Sequence, residues 1–384
     1  MELVWWAVLW GSLWALVWVY FLYPALLWLL APHHQPPAPE SQDLPGVSLI
    51  LAVHNEEKAL PHKLANCLTV DYPADRLEII VVDDGSTDGT AEILRSFEPR
   101  VIKAVFLPQR AGKTEAQNKA AALAHQPILF FTDATTAHLP DVLRVIVRRF
   151  SDPSVGCVSG RAVFRDNGSL TAAGLQIKQR YDVAVRGLQA RVRTLFGAVG
   201  CVYAVRRDLY VPLRPDLVSD FVEPLKLLIA GYRTVLEPDA IGLVDRPPPD
   251  AHQEFTRRSR IVLQGFRGIL HVRELLSPRH GFIQAVSLAS QRPLRWLSPL
   301  YAIGALVSSG TLAASYPLAM LLLSFQLMFY GVAAATWLVE RRARRVPRML
   351  ALPLYFSLSC LAALAGLMRL VRGETGMTWE TTGR

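Results

Sequence analysis

Carboxylates in three places have the type and spacing to do chemistry. Asp83-Asp84-Gly85-Ser86 closes one apolar run, Asp133 closes another, and Asp220 lies in Ser219-Asp220-Phe221. A carboxylate accepts hydrogen bonds, binds a hard cation, or takes a proton. Asp84 is placed to accept from a base N–H or a ribose hydroxyl. Gly85 lets a backbone approach, and Thr87 and Asp88 can cap the next helix. The same residues also suit a strand–turn–helix corner that holds no ligand. The repeat of the placement at Asp133 weighs toward a ligand, and a divalent metal on a diphosphate needs few protein carboxylates. Ala111-Gly112-Lys113-Thr114 looks at first like a phosphate loop, but Leu107 stands where the first glycine of that loop is required. A G-x-G-x-x-G turn is also absent, so these two nucleotide-binding classes lose their support.

Alternating elements must position these acids. Residues 47–53, 77–82, 102–107 and 128–132 read as strands, and 60–68, 89–97, 113–124 and 139–150 as helices. Such alternation predicts a mostly parallel sheet covered on both faces, with ligands beyond the carboxyl ends of its strands. Asp84 and Asp133 both fall at such ends. Further on, residues 155–159 and 198–205 read as strands around a helical stretch at 170–194. A helix at 221–230 and a strand at 234–236 follow. Residues 255–276 read as an amphipathic helix with arginines on one side, suited to a bilayer interface or to packing against the soluble domain. No internal repeat is visible.

The ends of the chain are apolar. Of 384 residues, 51% are hydrophobic, and the formal net charge is +9. Residues 3–30 carry no charge and include Trp5, Trp6, Trp10, Trp14 and Trp18. About 20 apolar residues span a bilayer, so this run reads as a membrane helix. It lacks the basic start and small-residue cleavage site of a leader peptide. Residues 296–339 are also uncharged, with a break at Ser315-Tyr316-Pro317, and 349–368 form a further run. Four spans are expected. The basic loop at 341–348 then falls inside with the middle region, and both termini fall outside. Cys67, Cys157, Cys201 and Cys360 have neither disulfide nor zinc spacing and read as buried small hydrophobes. The positive balance suits a membrane surface and an anionic ligand, and no nucleic-acid motif accompanies it.

An ordered set of motifs now carries a resemblance. It runs from Ala52-Val53-His54-Asn55-Glu56-Glu57 through Asp71-Tyr72-Pro73 and the run 83–90 to Gly112-Lys113 and Asn118. It continues with Thr132-Asp133-Ala134, Gly200 before Arg206-Arg207, Ser219-Asp220-Phe221 and Gly231-Tyr232-Arg233. Glu237-Pro238-Asp239-Ala240 and Phe255-Thr256-Arg257-Arg258-Ser259-Arg260-Ile261 complete it. The chain resembles membrane-embedded family 2 glycosyltransferases of the inverting type.

The resemblance implies an α/β fold: a GT-A, Rossmann-like catalytic domain flanked by transmembrane helices. It implies that Glu56 and Asp84 hold the uridine part of a UDP-sugar donor and that Lys113 sits near its diphosphate. Asp133 would bind a divalent metal, Mg or Mn, and Asp220 would be the general base on the acceptor hydroxyl. Arg257, Arg258 and Arg260 are candidates for gripping the pyrophosphate, lipid headgroups being their other partner. Three positions depart from the pattern. Thr135 stands where a second acid or amide is usual, His54 where tyrosine is common, and no tryptophan follows Arg260 as in the Gln-x-x-Arg-Trp signature of polymer-extruding relatives.

The expected organisation is a first membrane helix at 1–31, a proline-rich linker at 32–46 and the catalytic domain at 47–250. Interface helices at 251–295, three membrane helices at 296–371 and a tail at 372–384 follow. The expected protein lies in the plasma membrane with its catalytic domain in the cytoplasm. It moves a sugar to a lipid-linked or saccharide acceptor, in contact with membrane lipids and with no nucleic acid. The alternatives are a processive polysaccharide synthase and a non-catalytic subunit of an envelope complex.

Overall fold

The computed structural model describes residues 1–32, 44–97, 102–164, 170–244, 251–341 and 350–374. Most of the expected linker and tail, and the basic loop at 342–349, lie outside the described residues. Helix α1 (Glu2–Val17) continues through a π-helical turn at Trp18–Leu22 into α2 (Tyr23–Leu30).

The catalytic region starts with β1 (Val47–Val53), α3 (Leu60–Leu68), β2 (Leu77–Asp83), α4 (Thr90–Ser96) and β3 (Lys103–Phe106). Helix α5 (Lys113–Leu123), β4 (Ile128–Thr132), β5 (Thr136–His138), α6 (Val142–Val147) and β6 (Val155–Phe164) follow. Then come α7 (Leu170–Val192), β7 (Val202–Arg206), α8 (Ser219–Ile229) and β8 (Arg233–Val244). The eight strands form one sheet in the order β3-β2-β1-β4-β7-β6-β8-β5. Strands β1, β2, β3 and β4 are parallel, and β7 enters antiparallel beside β4. Strand β1 is buried on both faces, as a central parallel strand must be. Val47, Leu49, Leu51 and Val53 pack toward Leu60 and Leu64 of α3, while Ile50 and Ala52 pack with Ala116 and Ala120 of α5. The two-residue alternation of a strand produces both layers from one segment.

The expected elements are present with shifted ends. Strand β8 is four times the expected length, because its apolar pattern is interrupted rather than ended. Ser159 pairs with Leu236 and Arg161 with Ile241, so residues 237–240 bulge out of the ladder. Pro238 sits in that bulge, where a missing N–H breaks no sheet bond. The short β5 is too small to carry a strand signature of its own.

After the sheet, α9 (Ala251–His271) leads to α10 (Phe282–Gln291), α11 (Pro293–Trp296), α12 (Ser298–Leu312), α13 (Pro317–Arg341) and α14 (Ala351–Val371). Among the described residues, three helices are long and apolar enough to cross a membrane: Glu2–Leu30, Pro317–Glu340 and Ala351–Val371. The fourth expected span is the 15-residue α12, about 22 Å long at 1.5 Å per residue. It is cut short by the break at Leu297 and by the turn before Pro317. It nevertheless lies along the first helix. The Tyr20 and Ser298 hydroxyls are 3.1 Å apart, and the Tyr316 hydroxyl donates to Glu2 Oε2 at 2.8 Å. The chain thus returns from the level of Tyr20 to the level of Glu2.

Helix α9 does not lie free as an amphipathic surface helix. On one side Gly268 meets Phe221 and Val222 of α8, and on the other Gly366 of α14 meets the Ser259 carbonyl and Val262. It is a strut between the sheet domain and a membrane-length helix.

Candidate active site

The carboxyl ends of β1, β2 and β4 lie along one edge, and their loops are laced together. Asn55, with φ of 52°, accepts from the Thr87 N–H at 2.8 Å, and its own N–H donates to Ser86 Oγ at 2.9 Å. Asn tolerates this left-handed conformation better than most residues. His54 Nδ1 is 2.8 Å from the Asp84 carbonyl, and the Glu56 N–H donates to Thr90 Oγ1 at 2.8 Å. The Asp84 carboxylate is fully buried and accepts from the Ala111 N–H at 2.6 Å and the Gly112 N–H at 2.9 Å. Asp84 therefore fastens the loop before α5 to the end of β2. Gly85, at φ +63°, makes this possible: a Cβ there would stand 2.7 Å from the Arg110 nitrogen and the Gln109 carbonyl carbon.

That loop delivers Lys113 to the first turn of α5, where it forms an ion pair with Asp133. Burial opposes the Lys113 charge, but Asp133 and Asp220 outweigh it and hold its pKa up. Asp220 stands in the first turn of α8, and its peptide oxygen accepts from the Ala198 N–H at 2.6 Å. Gly200 leaves room for its carboxylate, which a Cβ at that position would strike. Burial pushes the Asp220 pKa up; Lys113 pulls it down and Asp133 pushes it up again. Lys113, Asp133 and Asp220 therefore form one electrostatic unit, although they are far apart in sequence.

Behind the Asp133 turn stands Lys63, which sequence reasoning missed. It is 2% exposed and donates to Thr132 Oγ1 at 2.8 Å and the Thr136 carbonyl at 2.6 Å. Thr132 Oγ1 also meets His138 Nε2 at 2.7 Å. A lysine on the same stripe as Leu60, Leu64 and Cys67 was the available signal, since that stripe faces the core.

Asp220 also opens onto a cavity of about 390 Å³. Its walls come from β6, β8, the loop before β7, α7, α8, α9 and the α10–α11 corner, and include Lys178, Asp182, Arg186, Arg257, Arg292 and Arg295. Glu56, Asp84, Lys113 and Asp133 do not line it. The sequence-predicted residues thus divide into a strand-edge group and a cavity group, with Asp220 at the join.

The three candidate arginines divide as well. Arg257 lines the cavity and is paired with Glu254 at 2.7 Å. Arg258 faces elsewhere. It pairs with the fully buried Glu254 at 2.6 Å and lies over the Tyr355 ring of α14, 4.5 Å from its centroid. Consecutive helical residues differ by 100°; the two guanidinium groups share the Glu254 carboxylate, but only Arg257 lines the cavity. Arg260 is not among the cavity-lining residues.

Among the described residues, no three His, Cys, Asp or Glu side chains gather as a metal cluster. Of the strand-edge carboxylates, Asp83 and Asp84 are buried and taken up by Ser86 and by the Ala111 and Gly112 N–H groups, while the Asp133 side chain is 37% exposed. That fits a hard divalent ion whose remaining ligands are diphosphate oxygens and water. All four cysteines are free thiols, three of them buried.

A parallel βαβ half with carboxylates along its strand ends, joined to a mixed half beside which α8 carries Asp220, is the architecture of the GT-A fold. Residues 48–211 match Glycosyl transferase family 2, and that stretch is a family 2 glycosyltransferase domain. Poly-beta-1,6-N-acetyl-D-glucosamine synthase of Staphylococcus aureus (strain COL) is 29% identical over 209 residues, 52% of this chain and 50% of that protein. The synthase of Staphylococcus epidermidis is 30% identical over 212 residues, 53% of this chain and 50% of that protein. The chain spans about half the length of the curated relatives it matches. In fold it is similar to the mannosyltransferase PcManGT from Pyrobaculum calidifontis, solved with GDP-Man and Mn2+. The TM-score is 0.70 at 24% identity, covering 97% of this chain and 98% of that one. With three helices of membrane-spanning length and composition, the chain is a membrane protein.

Proposed function

We propose that the protein is an inverting glycosyltransferase that moves a sugar from a UDP-sugar to a lipid-linked or saccharide acceptor at the cytoplasmic face of the membrane. One observation carries this: Asp220 belongs to the Lys113–Asp133 unit on one side and to the wall of the cavity on the other. Donor and acceptor then meet at Asp220.

In this scheme the donor lies along the β1–β2–β4 edge, with its diphosphate beside Lys113. Asp133 would hold Mg or Mn, which supplies charge to stabilise the departing diphosphate. The acceptor hydroxyl sits in the cavity and gives its proton to Asp220. Its oxygen bonds to the anomeric carbon as the bond to the diphosphate breaks, and the nucleoside diphosphate leaves with the electron pair. A single displacement inverts the anomeric centre. The raised pKa of Asp220 strengthens it as a base. Glu56 and Asp84 serve the nucleoside, and the hold of Asp84 on the Gly112 loop makes its contribution one of positioning.

The relatives named above are polymer synthases, so a processive reaction is the second reading. Against it stands residues 257–261, which lack the tryptophan of extruding relatives. Product length from purified protein and one donor separates the two; a ladder of products defeats single addition.

The test is thermal unfolding of the full chain in detergent with nucleotide-sugars, with and without Mn, because ligands of the folded state raise its melting temperature. UDP-sugars should shift the melt, and removing the metal should abolish the shift. If no nucleotide-sugar or nucleoside diphosphate moves it, the donor site is wrongly placed. Asp220→Asn should leave that shift intact while transfer falls by about 10²–10⁴.

A further inference from the structure

The cavity beside Asp220 is lined by six cationic side chains, Arg161, Lys178, Arg186, Arg257, Arg292 and Arg295, against the two carboxylates of Asp182 and Asp220. Lys178, Asp182 and Arg186 follow at intervals of four on α7 and so share one face. Asp182 is already used: Lys178 approaches it at 2.7 Å and Arg295 at 2.8 Å. Arg186 and Arg292 have no ion pair among the described residues. Arg186 donates to Ser159 Oγ at 3.0 Å and the Gly197 carbonyl at 3.1 Å, both neutral. Arg292 lies over the Phe221 ring at 4.9 Å, and its buried Nε has no hydrogen-bond partner. Burial and the neighbouring Arg186 together bring the Arg292 pKa down to about 10. Two guanidinium groups on the wall of one cavity, outside hydrogen-bonding ion pairs though under the pull of Asp182 and Asp220, offer an anion site, and their planar forks match phosphate geometry.

The location narrows the anion. Arg295 lies over the rings of Tyr20 and Tyr181, at 5.6 and 5.2 Å. Tyr20 is also where α12 starts its course along the first helix. The charged cavity therefore adjoins the domain-proximal end of the apolar helices, where an amphiphile would put its head.

We propose that Arg186 and Arg292, backed by Lys178 and Arg295, bind a phosphoryl group carried by the acceptor, which is a phosphate- or diphosphate-linked lipid. This deepens the function proposed above and rests on it for the role of Asp220. The phosphoryl group takes no part in bond breaking; it anchors the acceptor so that its hydroxyl reaches Asp220.

The test uses the full chain in neutral detergent and three probes: dodecyl phosphate, dodecyl maltoside and inorganic phosphate. Dodecyl phosphate should raise the melting temperature where equal dodecyl maltoside and inorganic phosphate do not. Arg292→Gln and, separately, Arg186→Gln should each weaken dodecyl phosphate binding about tenfold or more, the loss expected for one charged hydrogen-bonding partner. UDP with Mn should still shift the melt of both variants, which also certifies their folding. Equal responses to the phosphate and maltoside detergents, or undiminished binding by both variants, would overturn the proposal. Binding of inorganic phosphate as tight as that of dodecyl phosphate would remove the lipid from it. Displacement of dodecyl phosphate by UDP with Mn would assign the arginines to the donor. If UDP with Mn fails to shift the wild type, the donor reading falls while the dodecyl phosphate result still decides the anion site.

Discussion

Gly85→Ala tests whether the laced loops at the strand edge position the donor. The new Cβ would stand 2.7 Å from two backbone atoms of residues 109 and 110, which no rotamer can relieve. A left-handed alanine costs about 1–2 kcal/mol. Moving the loop then breaks at least one of the bonds from Ala111 and Gly112 to the Asp84 carboxylate, worth about 1.5–3 kcal/mol each. The sum is about 3–5 kcal/mol. For a domain of this size that lowers the melting temperature by roughly 10 °C. Because the same loop carries Lys113, UDP affinity should fall about tenfold or more. Gly187→Ala is the control. Nothing lies within 4 Å of a Cβ there, and alanine in a helix interior should add about 1 kcal/mol. The assay is thermal unfolding in detergent with titrated UDP and Mn. If Gly85→Ala melts like Gly187→Ala and binds UDP like the wild type, the loops do not set the donor site.

The coupling of Lys113 to Asp220 has a pH signature. The proposed base acts ionised, so kcat/KM should fall as pH drops through the raised Asp220 pKa. Lys113→Gln removes the charge that pulls this pKa down, so the acid limb should move to higher pH; an unmoved limb refutes the coupling. Glu223, one turn beyond Asp220, is 2% exposed, and burial and then the Asp220 charge hold its pKa well above the usual carboxyl range. Above about pH 4.3 the unfolded chain loses this proton while the folded chain keeps it, so stability falls as pH rises between the two pKa values. Glu223→Gln should flatten that slope and raise the melting temperature at neutral pH. Glu254→Gln strips the buried carboxylate from Arg257 and Arg258 and should lose about 3–5 kcal/mol, read as a lower melting temperature.

The donor half was legible in the sequence because it is local. Each strand of the parallel half is a short apolar run ending at a polar turn, so Asp84 and Asp133 could be placed at strand ends by inspection. Asp220 was legible only through the resemblance, since nothing in Ser219-Asp220-Phe221 itself says that α8 returns it to Lys113. The cavity was not legible at all. Its cations come from β6, α7, α9 and the α10–α11 corner, segments separated by tens of residues. The arginine cluster at 257–260 misled for a related reason. Adjacent arginines look like one patch in a sequence, but the helix sends Arg257 toward the cavity and Arg258 toward Tyr355.

That division of the arginines bears on how the membrane helices contribute to the site. Glu254 is fully buried and binds Arg257, Arg258 and the Tyr355 hydroxyl, the last at 3.1 Å. One carboxylate therefore links a cavity-lining arginine to a helix of membrane-spanning length. On the opposite wall, Arg295 is held between Asp182 of α7 and the ring of Tyr20 in the first apolar helix. Both sides of the cavity are thus braced by residues from apolar helices. Buried ion pairs of this kind are weak contributors to net stability but strongly fix geometry, because losing one partner strands the other charge. Excision of the sheet domain from its flanking helices should therefore preserve the proposed donor site at the strand edge, whose hydrogen bonds and ion pair lie within the sheet domain, and disorganise the cavity proposed for the acceptor.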